Sequence, residues 1–259
     1  MTQVKNDIIP KSCRLCLRNR TLVQSHLISA AMYRSLMRSK ASQNPLIVGP
    51  GLASTTSKQV RELLLCSDCE ERFNVTAEKW LASQIYRDGQ FPLANKLTVE
   101  MRTPELDDVG IAAFSFAGYP SDVERLAYFA LSIIWRAAVR TWRVPFGGQT
   151  DSIPLSNSTE EIIRRHLLNE VGFPDCAAVI VSICSDDISQ GVICMPVKLA
   201  GSQSLSYSFE IPGMTFHVFL EEVPRIVRPY CCVSGATKPI LLRDRGDQLF
   251  ETITNMYSS

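Results

Sequence analysis

The sequence predicts an α+β protein in three parts: a small cysteine-paired module over residues 1–90, a helical middle, and an antiparallel, β-rich C-terminal region. The last two form one α+β domain over 91–259, two helices followed by antiparallel strands. Three observations predict this. Two Cys-x-x-Cys pairs, Cys13/Cys16 and Cys66/Cys69, bracket a basic, loop-rich stretch. Two runs with cap signals and helical periodicity occupy 121–140 and 158–172. After residue 176 the chain becomes a series of short, closely spaced β-rich runs, some strictly alternating, as in an antiparallel sheet.

The elements follow in chain order. Residues 1–12 read as a tail. The stretch 25–40 holds His26 and, with Arg34, Arg38 and Lys40, reads as a basic helix facing a polyanion. Residues 41–58 carry two Pro, two Gly and many small polar side chains, a loop signature. Residues 67–87 read as a helix. Ser67 caps it, Asp68, Glu70 and Glu71 suit the positive end of its dipole, and Phe73, Trp80, Leu81 and Ile85 form its apolar stripe. Ser121-x-x-Glu124 is a capping-box pattern opening a helix that is apolar on nearly every face and belongs inside a domain. Arg136 interrupts its oily run, and Tyr128, Trp135 and Trp142 read as core. Ser158-x-x-Glu161 caps the next helix, Gly172 stops it, and His166 is expected at its surface.

Strands are expected at 176–184 and 191–199. Leu205, Tyr207, Phe209 and Ile211 alternate with serines 204, 206 and 208, which are expected on an exposed face. Residues 214–220 repeat the pattern, with His217 on the solvated side. Residues 225–233 and 239–244 add two further strand candidates, and 247–257 a short closing helix.

Composition bounds the class. At 259 residues, 46% hydrophobic and 20% charged, the chain can bury a core of useful size. No run reaches the ~18 apolar residues of a membrane span, and the first residues lack the apolar run of a signal peptide. The expectation is a cytoplasmic protein without membrane contact. Nine cysteines, an odd number, argue against a disulfide framework. Cys176, Cys184, Cys194, Cys231 and Cys232 read as small packing residues.

The paired cysteines carry the strongest chemical signal. Two residues between thiolates let both sulfurs turn toward one point. Two such pairs supply the four soft ligands that tetrahedral Zn²⁺ prefers. A thioredoxin-like redox dithiol would need one pair in a βαβ setting, which the sequence lacks. With four thiolates the shell is closed to water, so the zinc expected at Cys13, Cys16, Cys66 and Cys69 is structural. Charge adds a second signal. Residues 1–61 hold ten basic side chains against Asp7 alone, whereas the remainder holds 17 basic and 25 acidic ones. Such a segment attracts a polyanion, phosphate backbone first of all, or else docks on the acidic remainder of its own chain.

The layout Cys-x-x-Cys, a short gap, Thr21-Leu22-Val23-Gln24-Ser25-His26-Leu27-Ile28, a loop, then Leu64-Leu65-Cys66-Ser67-Asp68-Cys69-Glu70 and a helix resembles the zinc-stapled HNH endonuclease family. The match covers residues 13–80. The resemblance implies a treble-clef-like zinc module carrying a ββα-metal nuclease centre that hydrolyses DNA phosphodiester bonds. His26 stands at the family's general-base position and Glu70 at its final position, after the last zinc cysteine. The family's middle Asn falls where this chain has Arg61; Asn44 and Asn74 are the nearby substitutes. The runs 131–139 and 158–168 also resemble bacterial and phage proteins loosely described as HNH-like, implying a setting in defence or mobile-element biology.

The resemblance implies a mechanism. Mg²⁺ or Mn²⁺, distinct from the zinc, binds near Glu70 and His26. Neutral His26 takes a proton from the attacking water. Arg14, Arg18, Arg34 and Arg38 hold the DNA backbone without reading sequence. On the residues alone, His26 also suits a hydrogen-bonding role inside the module, and Glu70 a first-turn helix acid. The alternative function is a non-catalytic zinc-stapled module that grips nucleic acid or a protein, with the C-terminal region available to a protein partner.

Overall fold

The computed structural model describes residues 11–38, 46–49, 52–87, 89–100, 105–106, 112–115, 118–144, 147–150, 153–184, 187–199, 204–225, 228, 231 and 239–243. It is a mixed α/β protein with a mostly antiparallel C-terminal sheet and a cysteine cluster in its N-terminal region.

The N-terminal region opens with β1 (Lys11–Ser12) paired to β2 (Asn19–Arg20), two short strands that bracket the first Cys-x-x-Cys. β3 (Leu22–His26) pairs antiparallel with β6 (Arg61–Cys66), and α2 (Ser67–Phe73) follows β6 directly. Between β3 and β6 lie α1 (Ala30–Arg38), β4 (Leu46–Gly49) and β5 (Leu52–Thr55). The first is the basic helix: it buries Met32, Tyr33 and Leu36 and leaves Arg34 exposed. The other two correct the expected loop at 41–58, because Leu46-Ile47-Val48 finds a strand partner far downstream.

Cys66, not Ser67, occupies the N-cap of α2. This helix runs through a π-helical turn (Asn74–Glu78) into α3 (Lys79–Gln84). α4 (Pro92–Glu100) and strands β7 (Glu105–Leu106) and β8 (Ala112–Ser115) lead to α5 (Pro120–Val139). Its N-cap is Tyr119 rather than Ser121, because Pro120, with fixed φ and no N–H to leave unbonded, suits the first helical position. The helix is internal as expected, with Tyr128 and Trp135 buried along it and Trp142 buried just after it. α6 (Asn157–Leu167) starts two residues earlier than the sequence pattern suggests: the Ser156 hydroxyl accepts the Thr159 N–H at 3.2 Å. It stops at Leu168, and Asn169, at φ 61°, takes the left-handed C-terminal position in place of Gly172.

β9 (Ala177–Cys184), α7 (Asp187–Gln190), β10 (Val192–Lys198), β11 (Leu205–Ile211), β12 (Met214–Leu220) and β13 (Pro239–Arg243) complete the described chain. The nine-stranded sheet has the order β5-β4-β10-β11-β12-β9-β13-β8-β7. Only β4–β10 and β9–β13 are parallel pairs. One face receives α5: the Phe129 ring lies 6.1 Å from Phe209 and 5.5 Å from Phe216, which stack on each other at 4.8 Å.

The opposite face is also buried, which corrects the solvated positions expected for Ser204, Ser206, Ser208 and His217. Alternation marks two different faces, not one dry and one wet face. Small hydroxyls tolerate burial when they find a hydrogen-bond partner; Thr215 Oγ1 donates to Glu210 Oε1 at 3.4 Å and lies 3.8 Å from Cys184 Sγ. Of the strand candidate at 225–233, the described residues Arg225, Arg228 and Cys231 are not in a strand. The closing helix at 247–257 and Cys232 lie outside the described residues.

Candidate metal centre and the polar site beside it

Backbone hydrogen bonds fold the first Cys-x-x-Cys into a tight knuckle. Cys13 N–H donates to Arg18 O at 3.0 Å and Leu17 N–H to Cys13 O at 2.8 Å, with Leu17 at φ 59°. A β-bulge docks this knuckle on the hairpin. Val23 pairs with Leu65 and Gln24 with Leu63, so Leu64 is the extra residue, and its carbonyl accepts the Arg14 N–H at 3.2 Å. The second pair straddles the start of α2. All four sulfurs lie within 4.8 Å of one another.

A thiolate tetrahedron with ~2.3 Å metal–sulfur bonds has sulfur–sulfur edges of about 3.8 Å. Cys16 Sγ and Cys66 Sγ stand 4.0 Å apart, so the donor set fits one tetrahedral ion. Cys13 Sγ also accepts the Cys66 N–H at 3.3 Å. The hydrogen bond with Cys69, chiefly, brings the Cys13 thiol down to about 4, against the penalty of burial, and the same bond pushes the Cys69 thiol up.

His26 and Glu70 meet on the other side of the hairpin. The Glu70 carboxylate accepts the His26 backbone N–H and the Ser25 hydroxyl. Ser25 is fully buried and its Oγ in turn accepts the Leu65 N–H at 3.2 Å. Glu70 Oε2 is buried and takes no hydrogen bond among the described residues. Burial raises the Glu70 pKa, while the charge of Arg136 and the hydrogen bonds draw it back. The His26 imidazole is half-buried and bonds the Gln59 side chain. Burial holds it below the ordinary histidine value, with Arg136 and Arg61 pulling the same way and Gln59 and Glu78 opposing. Arg61, at the family's Asn position, pairs with His26 across the strands. Asn74 donates to Glu71 at 3.1 Å instead of turning toward this site, and Asn44 lies outside the described residues.

Two residues join this site that motif reasoning passed over. Arg136, fully buried, sends Nη2 to Glu78 Oε1 at 2.8 Å and Nη1 to Leu27 O at 3.4 Å, with its guanidinium over the Phe73 ring at 4.5 Å. A charge inside an apolar helix requires a buried partner. That was the legible signal; which partner it takes was not. The π-helical turn explains Glu78. Its i→i+5 bonds turn less per residue than α bonds, so Glu78 comes round to the side of Glu70, which feels its charge.

The four arginines expected to hold a backbone are dispersed. Arg14 Nη2 lies 3.7 Å from Glu160 on α6, the self-docking that the charge asymmetry also allowed. Arg164 of the same helix donates to the knuckle at Leu15 O, 2.8 Å. Arg18 and Arg34 are exposed, on the knuckle and α1 respectively. Arg38 closes α1, and its side chain lies outside the described residues.

His166 is half-buried on its helix rather than fully exposed. It sits between the Tyr128 and Phe173 rings, 5.8 and 5.6 Å away, with Nδ1 3.1 Å from Gly172 O. Together these residues border a pocket of about 430 Å³ that Thr76 and Arg125 also line. The C-terminal turn after α6 folds back over the ring, which is why helical periodicity alone placed it outside.

No protein-family model, curated protein or solved structure gives a significant match to the chain.

Proposed function

We propose that this protein is an HNH-like, metal-dependent nuclease acting on DNA phosphodiester bonds, built on a zinc-stapled module of treble-clef type. The observation that carries the reading is the placement of Glu70 against His26: its carboxylate accepts the His26 N–H, and its second oxygen is buried and unbonded among the described residues. Cys13, Cys16, Cys66 and Cys69 would hold Zn²⁺, a structural ion that clamps the knuckle to the hairpin and α2. Glu70, a hard oxygen donor, with His26 beside it, would hold Mg²⁺ or Mn²⁺, which supplies Lewis-acid polarisation of the scissile phosphate. His26, kept neutral by burial, accepts a proton from the attacking water, and Gln59 fixes the ring through its side chain. Ser25 orients Glu70, bonding it while being bonded by Leu65.

The test is cleavage of plasmid DNA with Mg²⁺ or Mn²⁺ by the wild type, His26→Ala and Glu70→Ala. Loss of about 10²-fold or more in either variant is expected for a proton-transfer or metal-holding group. Cleavage that survives both substitutions would sink the assignment.

A second reading, a non-catalytic binding module for nucleic acid or protein, is favoured by two observations. The buried Arg136 guanidinium already acts on Glu70 as a fixed cation, and Arg61 replaces the family's Asn. DNA binding without cleavage under any divalent ion would support it.

A further inference from the structure

Directly beside His26 the surface opens into a groove of about 490 Å³ lined by Ser57, Lys58, Gln59, Arg61 and Arg143. Two distant segments build it: the connection from β5 into β6, and the chain leaving α5. We propose that this groove binds the phosphodiester backbone of nucleic acid and sets it against His26; the proposal rests on the nucleic-acid reading above and names its contact residues.

The groove is continuous with the site. Gln59, in its wall, bonds the His26 side chain, and Arg61, in its floor, is the cross-strand partner of His26. Its charge is positive. Lys58 and Arg61 are exposed and form no ion pair among the described residues, and the Arg143 side chain is 80% exposed. Glu62 is the nearby acid; it holds Arg140 at 3.5 Å and Arg143 at 3.7 Å, steadying two guanidinium groups with one carboxylate. A cationic excess therefore faces solvent. The cations come from two segments, Lys58 and Arg61 from one and Arg143 from the other, which suits contact with more than one phosphate. None of the five described lining side chains is aromatic, so among the described residues there is no base-stacking platform, and the contact proposed is to backbone, independent of sequence. Arg143 comes from outside the cysteine-paired module, so the α5 region completes the surface that the module begins.

The test is fluorescence anisotropy of a fluorescein-labelled DNA duplex and of the matching single strand, titrated with the metal-replete full chain across a series of NaCl concentrations. Each phosphate neutralised contributes ~0.9 to the slope of log K against log salt on duplex. Lys58→Gln and Arg143→Gln, each at an exposed side chain, are expected to lower the slope by about one apiece, and the triple variant with Arg61→Gln by about two to three. Arg165→Gln, at an exposed α6 side chain paired with Glu170, is expected to leave the slope nearly unchanged. A wild type that binds while the groove variants keep its affinity and slope would overturn the groove and leave the nucleic-acid reading standing. A wild type that binds neither DNA would overturn both. Binding lost in the groove variants, with no cleavage by the wild type, would uphold the groove and remove the nuclease.

Discussion

Arg136 Nη2 lies 2.8 Å from Glu78 Oε1, and both side chains are buried, so a single ion pair ties the middle of α5 to the π-helical turn beside Glu70. Removing one partner strands the other charge. Arg136→Met or Glu78→Leu is expected to destabilise the fold by about 3–5 kcal/mol in urea denaturation, with the double substitution costing less than the sum of the two. Strict additivity would show that the two charges do not depend on each other.

The cysteine cluster could hold a metal ion, and on the proposed reading that ion is part of the fold. Purified protein is expected to carry one zinc per chain by elemental analysis, to lose it in Cys66→Ser, and to unfold when a strong chelator is added. Unchanged zinc content and solubility in Cys66→Ser would refute the site.

If His26 is the proposed general base, its depressed pKa sets the acid limb of cleavage. Cleavage should rise with pH with a midpoint below 6.5, and Arg61→Gln, which removes a charge acting on the ring, should move that limb upward. Stability runs in the same sense. Between 6.5 and the lower folded value the unfolded chain holds a proton that the folded chain does not, so stability is lost as pH falls through that window. His166 is depressed by burial too and adds in the same direction. His26→Asn should remove part of this acid sensitivity in melting curves.

Glu70 has the opposite sign. Burial raises its folded pKa above 4.5, so its contribution falls as pH rises through the folded value, and the ionised form is disfavoured in the fold. Without divalent ions, Glu70→Gln is expected to melt higher than wild type at pH 7.5 and equally at pH 4, while losing cleavage. A lower melting temperature at pH 7.5 would mean that the charge is needed for folding.

Gly213 turns from β11 into β12 at φ +76°, and a Cβ placed there would stand 2.5 Å from the buried Phe91 ring. Gly213→Ala is expected to cost about 1–3 kcal/mol, from the left-handed backbone and the clash together. Pairing it with Phe91→Leu should recover the clash but not the backbone share, a difference readable in urea midpoints.

The sequence pattern reveals the parts whose causes are local. The Cys-x-x-Cys spacing, the acidic start of α2, the all-round apolar α5, the β-rich runs of β9 and β10 and the period-two runs of β11 and β12 each carry their own signal. What depends on a distant partner does not show. Leu46-Ile47-Val48 looks like loop because its flanking Pro and Gly outweigh three apolar residues until β10 is beside it. Glu78 carries no signal of its own because its partner, Arg136, is on another helix and the π-helical turn has no sequence mark. Pro120 starts one helix ahead of its capping pattern because it has no N–H to leave unbonded, and Ser156 starts the other by accepting the Thr159 N–H. At the site, motif spacing picked out His26 and Glu70 separately; only the fold of the hairpin against α2 brings one's carboxylate to the other's backbone.

The pairing of Ile47 with Ile193 has a consequence for the order in which the molecule is made. A chain emerging from the ribosome presents its cysteines and the β4–β5 hairpin early, but β4 must wait for β10, most of the chain later, before its outer edge is covered. Until then a nascent chain would expose an apolar strand edge of the kind that invites mispairing. Early capture of zinc by the four cysteines would hold the two ends of that segment together during the wait, making the ion an assembly aid on the ribosome as well as a staple in the finished protein.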